Sequence, residues 1–252
     1  MESIELLSNT AVKSMIDGGH RLASVMNKVL AAAKPGLSLN DLEKLAQREL
    51  KKQGGKPSFQ RVAGYRHVSC LNLNEGVVHG VPNAKKLTVG DLLSVDLGLF
   101  YQGYHTDMAR TIIIGQTKDK DKHRLIETGR LVLDQAVAIC QPGNFVGQLS
   151  KTIEDGLRSH RFYPVKELTG HGVGRKLHQE PSIPCFLKGS FENTVKLKTG
   201  MALAIEVIYT AKPSRLRIAT DGWTVEAGKG VLAGLFEDTV LVTDSGCRVL
   251  TQ

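Results

Sequence analysis

One eleven-residue pattern occurs twice in this chain. Residues Leu87 to Leu97 and Leu197 to Val207 both follow L-x-x-G-x-x-L-[SA]-[VI]-[DE]-[LV], at an offset of 110. A helical block broken by Pro-Gly also recurs, at Pro35-Gly36 and Pro142-Gly143, at an offset of 107. Two copies are too few for a solenoid, so the repeats must pack against each other. The expected architecture is an internally duplicated α+β unit, with two pseudo-symmetric halves of approximately residues 10–115 and 118–252. A chain of 252 residues is long enough to bury one large core, so a single domain over residues 1–252 is expected. A site where the halves meet would receive one acid from each, Asp96 and Glu206.

Local patterns fill in this frame. Helical periodicity runs over residues 10–33 and stops at Lys34-Pro35-Gly36. Ser38 to Asp41 resembles a capping box that opens a charged helix ending at Gly54-Gly55. Short strands and glycines follow to about Gly115, then a second helical block over 120–160, then strands and turns. No window approaches about 18 consecutive apolar residues, so no membrane span is expected. Met1 to Glu5 carries two acids and no basic stretch, so no signal peptide is visible. Cys70, Cys140, Cys185 and Cys247 form no CxxC pair and read as free thiols of a reducing cytoplasm.

The acids carry the chemistry. Leu92 to Phe100 reads as one strand and Ala109 to Ile114 as another, with Phe100 to Gly103 as the tight turn between them. A hairpin centred between Tyr101 and Gln102 sets Asp96 opposite Asp107, with Cβ atoms roughly 5 Å apart. Two carboxylates that close, among aliphatics, either share a proton or hold a cation. The Asp-Thr-Gly or Asp-Ser-Gly of aspartic proteases is absent, which favours the cation. Glu206 lies in an apolar strand where an unpaired carboxylate is costly. Glu237 is expected just before the strand from Thr239 to Thr243, and His171 sits between glycines in a loop open to approach. Gly170, Gly172 and Gly174 lack the spacing and the Lys-Ser/Thr of a phosphate loop. Singly, each acid or His has an ordinary structural reading. Jointly, four carboxylates and one imidazole exceed a structural zinc site and suit two divalent ions, Mn, Fe or Co. Such a pair generates a hydrolytic nucleophile near neutral pH.

Further motifs sharpen this. The run from Val77 to Pro82, then Asp96, Asp107, Gly170 to Arg175, His178 to Pro181, Glu206, Asp221 to Thr224 and Glu237 resembles the type I methionine aminopeptidases, in their short bacterial form. That family has the pita-bread metallopeptidase fold, with helices outside an antiparallel sheet. The resemblance implies metal ligands Asp96, Asp107, His171, Glu206 and Glu237, and catalytic roles for His79, His178 and Glu206. A metal-activated hydroxide would attack the first peptide bond, with His178 stabilising the oxyanion and His79 contacting the scissile nitrogen. Tyr65, Cys70 and Trp223 match positions of the methionine pocket, with Leu177, His79 and His178 beside them. The implied substrate is the N-terminal methionine of nascent polypeptides whose second residue is small, and the implied state is a cytoplasmic monomer.

The resemblance has departures. Val62 and Leu177 stand where aromatics are usual, and Phe59 where a Cys is common. Val207 replaces the usual Pro after Glu206. Asp238 after Glu237 is more familiar from proline-specific (Xaa-Pro) dipeptidases of the same fold. Neither the additional N-terminal domain of those dipeptidases nor the zinc-binding extension of eukaryotic type I enzymes is expected. A dipeptidase of that kind is one alternative; a non-catalytic ribosome- or nucleic-acid-associated paralogue is another. The formal charge of +8, 33 basic against 25 acidic residues, bears on the latter. Lys51, Lys52, Lys56, Arg61 and Arg66 lie in a stretch with no acid, either a solvated basic face or a contact for ribosomal RNA.

Overall fold

The computed structural model describes residues 4–252; Met1, Glu2 and Ser3, part of the terminus read for targeting signals, lie outside the described residues. Four helices carry the apolar stripes seen in the sequence: α1 (Asn9–Ala32), α2 (Leu39–Lys52), α3 (Lys120–Ala138) and α4 (Val146–Ser159). Ser38 and Asp41 close a reciprocal capping box on α2, satisfying two donors that a helix start leaves unpaired. The Pro-Gly breaks fall in the gaps, with Gly36 at φ 88° and Gly143 at φ 91°, backbone that glycine adopts freely.

Among the described residues thirteen strands follow one another: β1 (Lys56–Pro57), β2 (Ser69–Leu73), β3 (Gly76–Val78), β4 (Leu92–Tyr101), β5 (Tyr104–Ile113), β6 (Tyr163–Pro164) and β7 (Thr169–Gly172). Then come β8 (Gln179–Pro184), β9 (Ala202–Thr210), β10 (Arg217–Ile218), β11 (Val225–Glu226), β12 (Ala233–Thr243) and β13 (Gly246–Val249). Ten form one antiparallel sheet in the order β1-β4-β5-β12-β9-β7-β8, with β2 on β4, β6 on β9 and β13 on β12; β10, β11 and β3 form a small second sheet. The two copies of the repeat become β4 and β9. The hydrogen bond from Gly36 N to Leu87 O recurs from Gly143 N to Leu197 O, and that from Gly90 N to Ile114 O recurs from Gly200 N to Val242 O.

Strand alternation separates two chemistries. Leu93, Val95, Leu97 and Leu99 of β4 pack in a cluster with Leu22, Met26 and Val29 of α1 and Leu42 of α2. Leu203, Ile205, Val207 and Tyr209 of β9 do the same with Val132 of α3 and Ile153 of α4. The intervening residues, Asp96 and Glu206 among them, therefore point to the other face. Tyr209 is fully buried and donates its hydroxyl to Leu125 O at 2.5 Å. A Pro instead of Val207 would lie on this packed face, not in the site.

Three expectations need correction. The hairpin turn is centred between Gln102 and Gly103, with Tyr101 opposite Tyr104. Both turn residues have positive φ, 47° and 91°, as a two-residue hairpin matched to strand twist requires, and Gly103 best supplies the second position. Asp96 consequently faces Ala109, and Asp107 faces Gly98. The second strand also starts at Tyr104 rather than Ala109, because Tyr104 to Asp107 lack an aliphatic run. Glu237 likewise stands inside β12, not before a strand.

One of the two mid-helix glycines in α1 has a packing reason. A Cβ on Gly19 would overlap the Leu250 carbonyl, which is backbone and cannot rotate away. Gly19→Ala is expected to lower stability by about 1–2 kcal/mol in urea denaturation, overpacking outweighing the gain in helix propensity.

Candidate metal centre

Register alone assembles the acids. Reading across the sheet, Cys70 opposes Asp96, Asp96 opposes Ala109, Ala109 opposes Glu237, and Glu237 opposes Glu206. Two residues along on the same face, Gly98 opposes Asp107, while Ala204 opposes both Thr239 and His171. Ala109 thus separates Asp96 from Glu237, and Gly98 and Ala204 stand on either side of the second row, leaving space between the carboxylates. The directly opposed pair is Glu206 and Glu237, one from each of the adjoining strands β9 and β12. Asp96 and Asp107 are diagonal neighbours instead, roughly 7–8 Å apart at the backbone, a separation with more room for an ion than the opposed pair would give.

The electrostatics are severe. Asp96, Asp107, His171 and Glu237 are all buried. Asp96 Oδ1, Asp107 Oδ1 and Glu237 Oε1 are solvent-inaccessible and have no hydrogen-bond partner among the described residues. Burial pushes the Asp96 pKa up to about 8. Asp107, Glu206 and Glu237 are held well above the ordinary carboxylate range by burial and then by neighbouring acids, Asp96 first for Asp107 and Glu206, and Asp107 first for Glu237. Burial, and then the neighbouring His178, push His171 down to about 3. His171 Nδ1 lies 2.9 Å from Gly172 O, and a carbonyl can only accept, so Nδ1 carries the proton. That leaves the Nε2 lone pair free, 3.5 Å from Glu206 Oε1.

Three overlapping groups place their donor atoms within 4.8 Å of one another: Asp96, Asp107 and Glu237; His171, Glu206 and Glu237; Asp107, His171 and His178. Orphaned carboxylate oxygens with one fixed imidazole lone pair are the donor set that hard-to-borderline divalent cations take. The residues therefore fit a divalent metal.

The acids open into a cavity of about 130 Å³, lined by Phe59, Val62, Tyr65, Cys70, Val78, His79, Leu177, His178 and Trp223 together with the five candidate ligands. His79 and His178 are exposed at its mouth, with the His178 ring 4.5 Å from that of His171. His79 has φ 57°, a strained value for a non-glycine residue. Tyr65 meets Trp223 edge-on at 5.1 Å and donates its hydroxyl to Ser69 O at 2.9 Å. Trp223 is held by Asp221, whose Oδ1 accepts from the Trp223 and Thr224 amides; Thr224 Oγ1 in turn accepts from Val81 N at 3.0 Å. The two motifs from Val77 to Pro82 and from Asp221 to Thr224 thus clasp each other.

Every residue singled out in the sequence for this site lines the one cavity. Sequence reasoning missed those that hold it in place. Ser58 donates its amide to Gly98 O at 3.0 Å and meets His105 Nδ1 at 2.8 Å, which seats Phe59 in the wall; a Cβ on Gly98 would come within 2.9 Å of the Phe59 ring. The His-x-Asp spacing of His105 and Asp107, two apart on one strand face, was the available signal. Asp238 lies on the opposite face, bound to Arg110 Nη2 at 2.7 Å. The feature reminiscent of dipeptidases therefore does not reach the pocket.

Comparison with known proteins agrees with this geometry. Residues 13–244 match metallopeptidase family M24, and the chain belongs to that family. Within it, the chain is 35% identical over 238 residues to methionine aminopeptidase 1 of Bacillus subtilis, covering 94% of this chain and 95% of that one. It is 34% identical over 252 residues to the methionine aminopeptidase of Borreliella burgdorferi, covering all of both. A crystal structure of the Thermotoga maritima methionine aminopeptidase superposes with a TM-score of 0.95 at 35% identity, covering 99% of this chain and all of that one. The prolidase from Pyrococcus furiosus shares the fold, with a TM-score of 0.79 at 21% identity over 98% of this chain and 65% of its own. The pita-bread architecture is the one expected, and an M24 fold implies use of divalent metal. No helix among the described residues is long and apolar enough to cross a membrane.

The raised acid pKa values have a sign. An acid that releases its proton near 3.8 unfolded but near 8 folded favours the unfolded state increasingly as pH rises through that interval. Metal-stripped protein is expected to lose thermal stability as pH rises across it. Added Mn should restore stability, by more at the alkaline end, as followed by calorimetry with and without chelator.

Proposed function

We propose that this protein removes the N-terminal methionine from polypeptides whose second residue is small. The carrying observation is the set of orphaned buried carboxylate oxygens opening directly into an apolar, sulfur-compatible pocket. We read residues 1–252 as one catalytic unit whose two halves meet at this site. Asp96, Asp107, His171, Glu206 and Glu237 would hold two divalent ions, with Mn, Fe or Co suited to the mixed oxygen and imidazole set. Bound there, such ions supply Lewis-acid polarisation and a nucleophile derived from water at neutral pH.

The chain's own groups do the rest. Tyr65, Cys70, Leu177 and Trp223 form an apolar wall against which a thioether packs, and Phe59 and Val62 reshape it. His178, whose ring lies beside that of His171 at the mouth, would donate to the oxygen of the first peptide carbonyl as charge develops. His79, held across the pocket by its left-handed backbone, contacts the scissile nitrogen. Glu206 carries the proton from the attacking water to the leaving amine, a role suited to a carboxylate whose pKa burial has raised.

The closing test uses the purified protein with Mn, Fe or Co. Free methionine should be released from Met-Ala-Ser peptides by the native chain and not by Asp107→Ala. His178→Ala should lower kcat by about a hundredfold or more with little change in KM. Cleavage of Xaa-Pro dipeptides alone would instead make it a dipeptidase. No bindable divalent metal would leave a non-catalytic role.

The basic face supports ribosome association as a setting for this activity. Lys51, Lys52, Lys56, Arg61 and Arg66 are all exposed, and Lys56 and Arg61 flank Phe59 of the pocket wall in the chain. Co-sedimentation with ribosomes should weaken with added salt and with neutralisation of these five residues.

A further inference from the structure

β5 and β12 join the two halves of the sheet, yet their ladder contains only the pairs Ala109–Glu237 and Met108–Asp238. At the next position the backbone does not pair directly. The Thr239 hydroxyl accepts from Asp107 N at 2.9 Å and donates to Asp107 O at 2.8 Å. Thr239's own backbone is turned elsewhere: its amide donates to Thr251 Oγ1 at 3.2 Å and its carbonyl accepts from Leu250 N at 2.8 Å. Residues 250–251 are thus wedged beside β12 where β5 would otherwise bond.

The rear face closes the same joint. Arg110 Nη1 donates to Glu237 O at 2.6 Å and to Ala109 O at 3.0 Å, while Nη2 donates to Asp238 Oδ1 at 2.7 Å. Thr251 Oγ1 also donates to Asp238 Oδ1 at 2.7 Å. Thr239, Thr251 and Asp238 are all buried, so water cannot replace a lost partner here.

We propose that Thr239 is a positioning residue for the metal centre: its hydroxyl, backed by the Arg110 clamp, sets the separation of the strands carrying Asp107 and Glu237. The inference rests on the reading of those acids as metal ligands and assigns them a support that the ligand set does not itself contain. Asp107 and Glu237 reach the site from strands whose backbone ladder has two residue pairs, closed at one end by Thr239 and at the other by Thr111, whose hydroxyl donates to Leu235 O at 2.8 Å and accepts from Leu235 N at 2.9 Å. An opening of the joint by a fraction of an ångström moves one carboxylate relative to the other. Groups that orient ligands in this way typically tune metal affinity 10- to 100-fold.

The test is Mn titration by calorimetry into chelator-stripped native protein, Thr239→Val, Thr239→Ser and Asp107→Asn, each first checked for fold by circular dichroism. Thr239→Val keeps the shape and loses the hydroxyl; Thr239→Ser keeps the hydroxyl. Native protein and Thr239→Ser are expected to bind Mn within about threefold of each other, and Thr239→Val about tenfold or more weakly. Thr239→Val binding as tightly as the native chain overturns the proposal, as does Thr239→Ser binding as weakly as Thr239→Val. Should Thr239→Val not fold, Arg110→Lys carries the test, since it keeps the charge opposite Asp238 but lacks the fork that holds two carbonyls. Weakened Mn binding there supports the clamp, and unchanged binding overturns it. Native protein that binds no Mn, or Asp107→Asn that binds it normally, would instead overturn the metal-ligand reading.

Discussion

Mutual repulsion among buried carboxylates governs this molecule. Asp96, Asp107, Glu206 and Glu237 share one sheet face, and three of them have an oxygen with no partner. Burying one unpaired charge already costs several kcal/mol, and clustered like charges multiply the cost. A fold that spends stability in this way must recover it from the core. Leucine, valine and isoleucine fill the helix side of each strand, opposite the acids. The alternation of two chemistries along β4 and β9 is therefore one arrangement seen from two sides: the apolar face is what makes the charged face tolerable.

The small residues between the acids matter as much as the acids. Ala109 and Ala204 occupy sheet positions from which a larger side chain would fill the space between carboxylates. Gly98 leaves room for the segment that brings Phe59 into the pocket wall. The site is a lattice of donors with gaps, and its gaps are encoded residue by residue.

Much of this was legible from sequence because it is written in local patterns. The repeat at an offset of 110 placed Asp96 and Glu206 on equivalent strands, and the Pro-Gly breaks and the Ser38 capping box marked helix limits correctly. What failed was register. A hairpin centre moved by one residue changed the partner of Asp96 from Asp107 to Ala109, because Gln102 adopts a positive φ that composition alone does not announce. The acids still share a face, since a shift of one in the centre moves the partner by two. The supports of the site were invisible for a different reason. Ser58 with His105, and Thr239 with Asp107, are joined over long sequence separations, and apart from the His-x-Asp spacing of His105 and Asp107 nothing in their neighbourhoods sets them apart. Glu237 and Asp238 look alike in the chain and face opposite ways in the sheet.

The wedge beside β12 has a consequence in time. Asp96 and Asp107 leave the ribosome more than a hundred residues ahead of Glu237 and of the segment around Leu250 and Thr251 that props the joint. Until those late residues arrive, the first half holds two acids on a hairpin without the strand that aligns them. Contacts of such long sequence separation form slowly and last. The alignment of the candidate ligands is therefore a late event of folding: the hairpin acids of the first half wait for β12 and the Leu250–Thr251 segment to pack against them.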